Sequence, residues 1–170
     1  GTYYLSNKIL KNLIFILYKI AFFKSYNVFF QNKIDQDIFI SKKIIDKRKT
    51  RVIGGSGIDL KKFYYNHIGL KKGKEFKFIC VSRLIKDKGI VEFLEVAKMI
   101  KKKYAEVKFI LIGSIDTQNI SLINIDYLKK FTNKYVTHYE FNHDIKKYII
   151  ESDCAVLPSY REGTSRFLLE

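Results

Sequence analysis

Residues 75–114, EFKFICVSRLIKDKGIVEFLEVAKMIKKKYAEVKFILIGS, decide the fold of this chain. The apolar runs at 76–81 and 107–112 each predict a buried strand, and residues 87–103 between them predict a helix. A strand, a helix and a strand in this order indicate two parallel strands of one sheet joined by a crossover helix.

The same alternation continues to the end of the sequence. The further predicted elements are a helix at 121–132, a strand at 136–140, a short helix at 144–151, a strand at 153–157 and a helix that starts near Thr164. Strict alternation predicts an α/β fold with a doubly wound parallel sheet. Such sheets bind ligands at the carboxyl ends of their strands, so the loops that lead into the helices are where a site is expected.

The segment upstream of this pattern begins with a strong helical signal at 6–24, for which Ser6 is the candidate N-cap. Its lysines, with Asn12, fall on one narrow stripe, and almost every other residue is apolar. The apolar stretch is shorter than a membrane span, and Lys11 and Lys19 interrupt it. The helix is therefore either deeply packed or lies flat on a membrane surface, and these two alternatives are compatible.

A strand at 27–30, a helix at 33–41 and a strand at 50–53 follow, and the last of these leads into a glycine cluster. Residues 59–74 show no clear period, so they are interpreted as the boundary between two units. The sequence opens at Gly1 without a Met or a secretory signal pattern and ends within a predicted helix. We therefore expect a fragment of a longer chain.

Composition indicates a folded globular protein, with 47% hydrophobic and 29% charged residues among 170. The formal net charge is +15, from 32 basic and 17 acidic residues. Such a surface attracts nucleic acid, an anionic membrane or phosphorylated substrates, although a solvated lysine coat explains the charge equally well.

Neither the cysteines nor the histidines indicate a metal site. Cys80 and Cys154 each lie in an apolar run, which predicts buried, reduced core thiols. Neither has metal-ligand spacing, and the three histidines (His67, His138 and His143) do not cluster with them in sequence.

The loop after the first strand of the sheet contains two cations, Arg83 and Lys88, directly before or at the start of a helix. Cations beside the free amides of a helix N-terminus make a seat for a diphosphate. Gly89 removes a side chain where another group must approach the backbone closely. Gly113, after the next strand, likewise admits either a ligand or a crossing backbone.

Two carboxylates, Glu162 and Glu170, follow the last predicted strand. If the segment between them is helical, they lie roughly 12 Å apart along the axis and about 80° apart around it. Both side chains then face one groove at a spacing that fits the sugar and the ribose of a nucleotide sugar, whose hydroxyls carboxylates accept. The alternative is one glutamate in a loop and another on a helix surface.

Five segments together resemble the donor domain of family-4 glycosyltransferases, the glycosyl transferases group 1 type with the GT-B fold. They occur in the family's order and are FFQNKIDQDIF (29–39), VIGGSGIDLKKF (52–63), VSRLIKDKGI (81–90), FILIGS (109–114) and LPSYREGTSRFLLE (157–170). The resemblance implies two Rossmann-like domains with parallel sheets. Residues 1–60 would be the tail of the N-terminal acceptor domain, 61–74 the interdomain linker, and 75–170 most of the donor-binding domain.

The resemblance also implies roles for the site residues. Arg83 and Lys88 would hold the donor diphosphate and neutralise the leaving group, Glu162 would bind hydroxyls of the donor sugar, and Glu170 would bind the ribose. The backbone amides of Gly163 and Thr164 would contact the sugar or phosphate. Gly54, Gly55 and Gly57 would line the interdomain cleft, where small residues let the other domain close, and Gly113 would belong to the donor site.

As a whole, the resemblance implies a retaining glycosyltransferase that needs no metal and no cofactor. It would move a hexose or N-acetylhexosamine, from a UDP-linked donor, to a lipid-linked or polysaccharide acceptor. The expected location is the cytoplasm, at the inner face of a membrane. The alternatives are a GT-B enzyme of another reaction type, such as a phosphorylase or an epimerase, and a basic nucleic-acid-binding domain.

Overall fold

A computed structural model of the chain describes residues 8–64, 75–132, 134–141 and 144–170. The predicted N-cap Ser6, the residues 65–74 of the predicted linker, and His67 and His143 lie outside these ranges. The chain divides into two compact units. One contains the residues up to Gly57 together with Glu162–Arg166, and the other contains Ile58–Arg161 together with Phe167–Glu170.

The first unit is a small α/β layer. Its elements are α1 (Lys8–Phe22), β1 (Val28–Phe30), α2 (Lys33–Ser41) and β2 (Thr50–Val52). The two strands pair in parallel, with Val28 opposite Thr50. α2 begins after Asn32, whose side chain accepts a hydrogen bond from the Asp35 amide at 2.7 Å. The buried Gln36 of α2 donates to the Thr50 hydroxyl at 2.8 Å and so ties α2 to β2.

The sequence left two alternatives for α1, a deeply packed helix and a helix that lies on a membrane surface. None of its residues is buried, so the deep packing expected for it is wrong for the described part of the chain. Tyr18 and Phe22 of α1 lie against Phe39 of α2, with ring centroids 5.1 and 6.1 Å apart. None of the helices in the described ranges combines the length and the hydropathy needed to cross a bilayer.

The second unit contains a four-stranded parallel sheet in the order β5-β4-β3-β6. Its strands are β3 (Lys77–Val81), β4 (Lys108–Ile112), β5 (Thr137–Tyr139) and β6 (Cys154–Ala155). The helices that follow these strands are α3 (Ile90–Lys101), α4 (Ile125–Lys129), α5 (Lys146–Ile150) and α6 (Arg166–Leu169). The predicted α/β class with parallel strands is confirmed.

Both faces of this sheet are covered, which explains why its central strands are apolar runs. On one face, Phe93, Leu94 and Ala97 of α3 pack on Cys80 and Leu111 of the strands. On the other face, the opposite residues of the strands pack with α5 and with a helix near the end of the chain; the buried members are Ile79, Val81, Ile112 and Phe167.

The two cysteines differ in their burial. Cys80, in the central strand β3, is fully buried, as expected. Cys154 is only half-buried, so the expectation of a core position for it is wrong. The physical reason is that β6 is a two-residue edge strand, which is covered less completely than the centre of the sheet. Both cysteines are free thiols.

Two predicted helices are shorter than expected. α4 begins at Ile125, not at 121, because Ser121 and Leu122 pair with the loop after β3; the Ser121 carbonyl accepts the Lys86 amide at 2.8 Å. The last helix begins at Arg166, because the Glu162 carbonyl accepts a hydrogen bond from the Asn32 side chain at 3.2 Å. The helical spacing assumed for Glu162 and Glu170 is therefore wrong.

Candidate functional site

The loop that leaves β3 gives Arg83 a defined position. Its neighbours Leu84 and Ile85 are buried and anchor the loop, whereas the Arg83 side chain is 63% exposed. The Arg83 guanidinium Nη1 lies 3.2 Å from the Asp116 carboxylate Oδ2. An exposed pair of this kind contributes at most about 1 kcal/mol to stability. Its main effect is therefore on where the cation is held.

Asp116 is itself positioned by the loop after β4. The Asn119 side chain donates to Asp116 Oδ2 at 3.2 Å, and the Asn119 amide donates to the Asp116 carbonyl at 3.1 Å. The Asn119 side chain also accepts the Ser121 amide at 3.0 Å. Asp116 and Asn119 are not among the site residues predicted from the sequence. An Asp followed by an Asn three residues later is a turn signal, and in this chain it gives no hint of an arginine partner.

Lys88 ends a short 3-10 turn, Lys86–Lys88, that precedes α3. The helix itself begins at Ile90, so the predicted start at residue 87 is three residues too early. The reason is Gly89, which has a φ of 70° and therefore interrupts the right-handed helix. The half-buried Lys88 thus lies two residues before Ile90, the first residue of a twelve-residue helix whose dipole favours anions at this end.

Gly89 also shows which group approaches the backbone at this point. A Cβ at Gly89 would collide with the backbone carbonyl of Pro158, in the loop after β6. The same is true of Gly113, where a Cβ would collide with the Ser82 carbonyl. The sequence left open whether a ligand or a crossing backbone approaches Gly113, and the structure shows a crossing backbone.

Asp87 connects the three loops at this edge of the sheet. Its carboxylate accepts the Ser121 hydroxyl at 2.5 Å, from the loop after β4. Its backbone carbonyl accepts the Tyr160 amide at 3.1 Å and the Ser159 hydroxyl at 3.3 Å, from the loop after β6. From the sequence Asp87 is predicted only as the start of a helix, and no local pattern marks it as a connection between loops.

Two further contacts fix the surrounding side chains. The Tyr160 hydroxyl donates to the Glu92 carboxylate on α3, and this hydrogen bond raises the pKa of Tyr160 above its ordinary value. On β5, the His138 ring Nε2 lies 2.9 Å from the Gly113 carbonyl. Both contacts join the loops at the strand ends to regular elements of the same unit.

The other predicted site residues lie in the first unit. Gly55 has a φ of 90°, and a Cβ there would lie 2.6 Å from the Thr164 Cβ. A Cβ at Gly163 would collide with the Gln31 side chain, and the Thr164 hydroxyl donates to the Gln31 carbonyl at 3.3 Å. The structure therefore brings Gly55, Gly163 and Thr164 together with Gln31, which is not among the predicted site residues.

The predicted residues thus form two groups. Arg83, Lys88, Gly113 and the half-buried Glu170 belong to the unit with the four-stranded sheet. The members of the other group belong to the unit with β1 and β2, and they are Gly54, Gly55, Gly57, Glu162, Gly163 and Thr164. At Gly54 and Gly57 an added Cβ would have no neighbour within 4 Å.

Comparison with known proteins places the sequence among glycosyltransferases. The sequence profile of the family described as "Glycosyl transferases group 1" matches residues 65–170. The whole chain aligns at 30% identity with N,N'-diacetylbacillosaminyl-diphospho-undecaprenol alpha-1,3-N-acetylgalactosaminyltransferase of Campylobacter jejuni. Over 93% of its length it is 27% identical to the capsular polysaccharide biosynthesis glycosyltransferase CapM of Staphylococcus aureus. The chain spans 47% and 44% of these two relatives, about half of their length.

Solved structures share the fold. Anabaena HepE in complex with UDP-glucose superimposes with a TM-score of 0.62 at 20% identity, over 84% of this chain and 41% of HepE. TarM superimposes with a TM-score of 0.57 at 20% identity, over 81% of this chain and 26% of TarM. The predicted GT-B fold is confirmed by these likenesses.

Proposed function

This chain belongs to the family of glycosyl transferases group 1, and from that premise we propose that it carries the donor-binding part of a nucleotide-sugar-dependent glycosyltransferase. The observation that carries the proposal is the position of Arg83. Its guanidinium is held at the carboxyl end of β3, in the loop that runs through Lys88 to the amino end of α3. Two cations before a helix N-terminus suit a diphosphate.

The proposed chemistry is electrostatic. Arg83 and Lys88 bind the donor diphosphate and offset the negative charge that develops on the leaving nucleoside diphosphate. Glu162 accepts hydroxyls of the donor sugar, Glu170 accepts those of the ribose, and the amides of Gly163 and Thr164 donate to the sugar or phosphate. We also propose that the transfer requires no metal and no cofactor and that it retains the anomeric configuration of the sugar.

The donor is proposed to be a UDP-linked hexose or N-acetylhexosamine. Support comes from HepE, whose structures contain UDP, UDP with glucose, or UDP-glucose. It also comes from the relative of Campylobacter jejuni, whose name specifies transfer of an N-acetylgalactosaminyl group. Hydroxyls are common to all of these sugars, so carboxylates at Glu162 and Glu170 are compatible with each of them.

The acceptor is proposed to be a lipid-linked or polysaccharide glycan. The two relatives are named for a diphospho-undecaprenol acceptor and for capsular polysaccharide biosynthesis. A lipid-linked acceptor is held in a bilayer, so the location that we propose is the cytoplasm, at the inner face of a membrane. The net charge of +15 suits an anionic surface there.

Thermal shift with nucleotides tests the donor site. We expect UDP to raise the melting temperature of the chain more than GDP, ADP or CMP, because binding to the folded state stabilises it. Arg83→Ala and Glu170→Ala should each remove most of that shift. The matched controls are Arg48→Ala, which removes an arginine from another exposed Arg–Asp pair, and Glu106→Ala. Both controls should keep the shift.

Three other outcomes are informative. Stabilisation by short DNA but by no nucleotide would favour the nucleic-acid-binding alternative and contradict the proposal. A UDP shift that is unchanged in Arg83→Ala would mean that UDP binds elsewhere. A UDP shift accompanied by phosphorolysis or epimerisation, without transfer to an acceptor, would favour the other GT-B reaction types.

A further inference from the structure

The carboxylate of Asp116 is the fixed member of the ion pair that it forms with Arg83. The Asp116 side chain is 29% exposed, against 63% for that of Arg83. Asp116 Oδ2 accepts from the Asn119 side chain as well as from the guanidinium, and the Asn119 amide donates to the Asp116 carbonyl. The pair therefore orders the arginine against a carboxylate that its own loop already holds.

The backbone next to Arg83 is held by the same loop after β4. The Leu84 amide donates to the Ser114 carbonyl at 3.2 Å, and the Lys86 amide donates to the Ser121 carbonyl at 2.8 Å. Because these bonds fix the backbone, the main freedom left to Arg83 is that of its long side chain. The ion pair restricts this remaining freedom.

The pair leaves the guanidinium of Arg83 able to bind a second group. It donates to Asp116 through Nη1, and a guanidinium carries further N–H donors on Nε and Nη2. The pair of Arg48 with Asp46 differs, because there Nε and Nη2 both donate to the carboxylate, at 2.8 to 3.2 Å. A fork of two such donors is what binds a phosphate group. Contact through Nη1 thus suits an arginine that is held for a ligand.

An arginine that is already ordered binds a diphosphate more tightly than a mobile one. The side chain of arginine has a large conformational entropy, so its ordering on binding lowers the affinity. The Asp116 carboxylate removes part of that loss before the ligand arrives. It also repels phosphate groups, but the guanidinium lies between the carboxylate and any ligand on its other N–H groups, and its positive charge offsets the repulsion.

We propose that Asp116 is a positioning residue of the donor site, which holds the Arg83 guanidinium through Nη1 so that its other N–H groups meet the donor diphosphate. Asp116 acts through Arg83 and does not itself touch the donor. The inference rests on the proposed function, since it assigns Asp116 a part in the binding of the diphosphate.

Calorimetric titration of the full chain with UDP tests the inference through the Kd. We expect Asp116→Ala to weaken UDP binding about three- to tenfold, which is the range that the ordering of one long side chain produces. Asp116→Asn keeps an oxygen that accepts from the guanidinium, so its Kd should lie between those of the parent chain and Asp116→Ala.

A double-mutant cycle separates positioning from a structural role. In the Arg83→Ala background, Asp116→Ala should leave the Kd for UDP unchanged or lower it, because a carboxylate without its arginine only repels the phosphates. A carboxylate that merely supports the folded loop would weaken binding by the same factor in both backgrounds. That result would overturn the inference.

Matched controls remove a carboxylate elsewhere. Asp46→Ala breaks another exposed Arg–Asp pair, and Asp126→Ala removes an exposed acidic residue of α4, in the same unit as Asp116. Both controls should bind UDP as the parent chain does. Circular dichroism and urea denaturation of each variant verify that the chain is folded.

Two further results overturn the inference and leave the proposed function in place. One is an unchanged Kd for UDP in both Asp116→Ala and Asp116→Asn. The other is tighter binding in these variants, which would make Asp116 a competitor of the diphosphate for Arg83. A parent chain that binds neither UDP nor any other nucleoside diphosphate contradicts the proposed function itself, and this inference with it.

Discussion

At the scale of single residues, the glycines of the loops have packing reasons that are independent of any ligand. Gly89 has a φ of 70°, and the space where its Cβ would lie is occupied by the Pro158 carbonyl. A side chain at Gly113 would collide with the Ser82 carbonyl. The loops at the strand ends therefore approach each other closely because these two residues have no side chain.

We expect Gly89→Ala to lower the free energy of unfolding by at least about 2 kcal/mol, because the new Cβ is both strained and in collision. Urea denaturation measures the change. Gly54→Ala is the matched control, since an added Cβ there has no neighbour within 4 Å. Equal stability losses in the two variants would contradict this explanation.

Asp116 allows a test of what its ion pair with Arg83 does. Because the pair is exposed, Asp116→Asn should change the free energy of unfolding by less than about 1 kcal/mol. Thermal and urea denaturation both measure this. A loss well above that value would mean that Asp116 supports the folded loop and does not only place the guanidinium.

Burial raises the pKa of the Cys80 thiol from the ordinary value of 9.0 to about 12. We therefore expect a maleimide at mildly alkaline pH to label the half-buried Cys154 quickly and Cys80 only after unfolding, because the thiolate is the reactive form. Mass spectrometry of the two peptides checks this order. Rapid labelling of Cys80 in the folded chain would contradict the burial seen in β3.

The same raised pKa of Cys80 predicts a dependence of stability on pH. The stability that the neutral thiol contributes is fully present below pH 9.0 and is lost as the pH rises from there toward about 12, by roughly 1.4 kcal/mol per pH unit. The decline in the free energy of unfolding above pH 9 should be less steep in Cys80→Ala. The same decline in both chains would assign the loss to other groups.

At the scale of elements, α3 is the helix on which one face of the large sheet depends. Its buried residues Ile90, Phe93, Leu94 and Ala97 recur at helical spacing against β3 and β4. The same pattern was sufficient to predict a helix here from the sequence. Its exact start was not predictable, because the positive φ of Gly89 is linked to a distant residue, Pro158.

Leu94→Ala should lower the free energy of unfolding by about 2–5 kcal/mol, because Leu94 is fully buried and its loss leaves a cavity. Met99 lies on the same helix and is 66% exposed, so Met99→Ala should change the free energy of unfolding by less than about 0.5 kcal/mol. Urea denaturation distinguishes the two. Similar losses would mean that the exposed side of α3 is also covered.

The last helix illustrates the opposite case, in which the sequence misled. A helix between Glu162 and Glu170 is compatible with local propensity. However, the segment around Gly163 is held by Gln31 and Asn32, which are about 130 residues earlier in the chain. Contacts of this range outweigh helix propensity, and no local pattern predicts them.

At the scale of the whole molecule, the net charge of +15 and the candidate site make different predictions about salt. The attraction of a basic surface for DNA is screened over about 10 Å at 0.1 M salt, and it falls further as counterions compete. The contacts of a nucleotide with the loops at the strand ends are short-range and are therefore less sensitive to salt.

We therefore expect added salt to abolish any binding of DNA to the chain while the thermal shift with UDP remains. Fluorescence anisotropy of labelled DNA and the UDP shift, measured over one salt series, provide the comparison. DNA binding that resists salt and competes with UDP would contradict a charge-driven origin.

The sequence by itself determined the α/β class, the parallel strands, the order of elements and the family, because apolar periodicity and short motifs are local properties of the chain. It also identified Arg83 and Lys88 as the cations that follow the first strand of the sheet. These conclusions needed no knowledge of which distant residues meet.

Only the tertiary structure decided the partners. The contacts of Arg83 with Asp116, of Asp87 with Ser121 and Tyr160, and of Gly163 with Gln31 join residues that lie 33 to more than 100 positions apart. It also showed that, within the described part of the chain, no residue of α1 is buried. Long-range contacts form because the sheet brings strand ends to one edge, and single-sequence periodicity carries no information about which loops then touch.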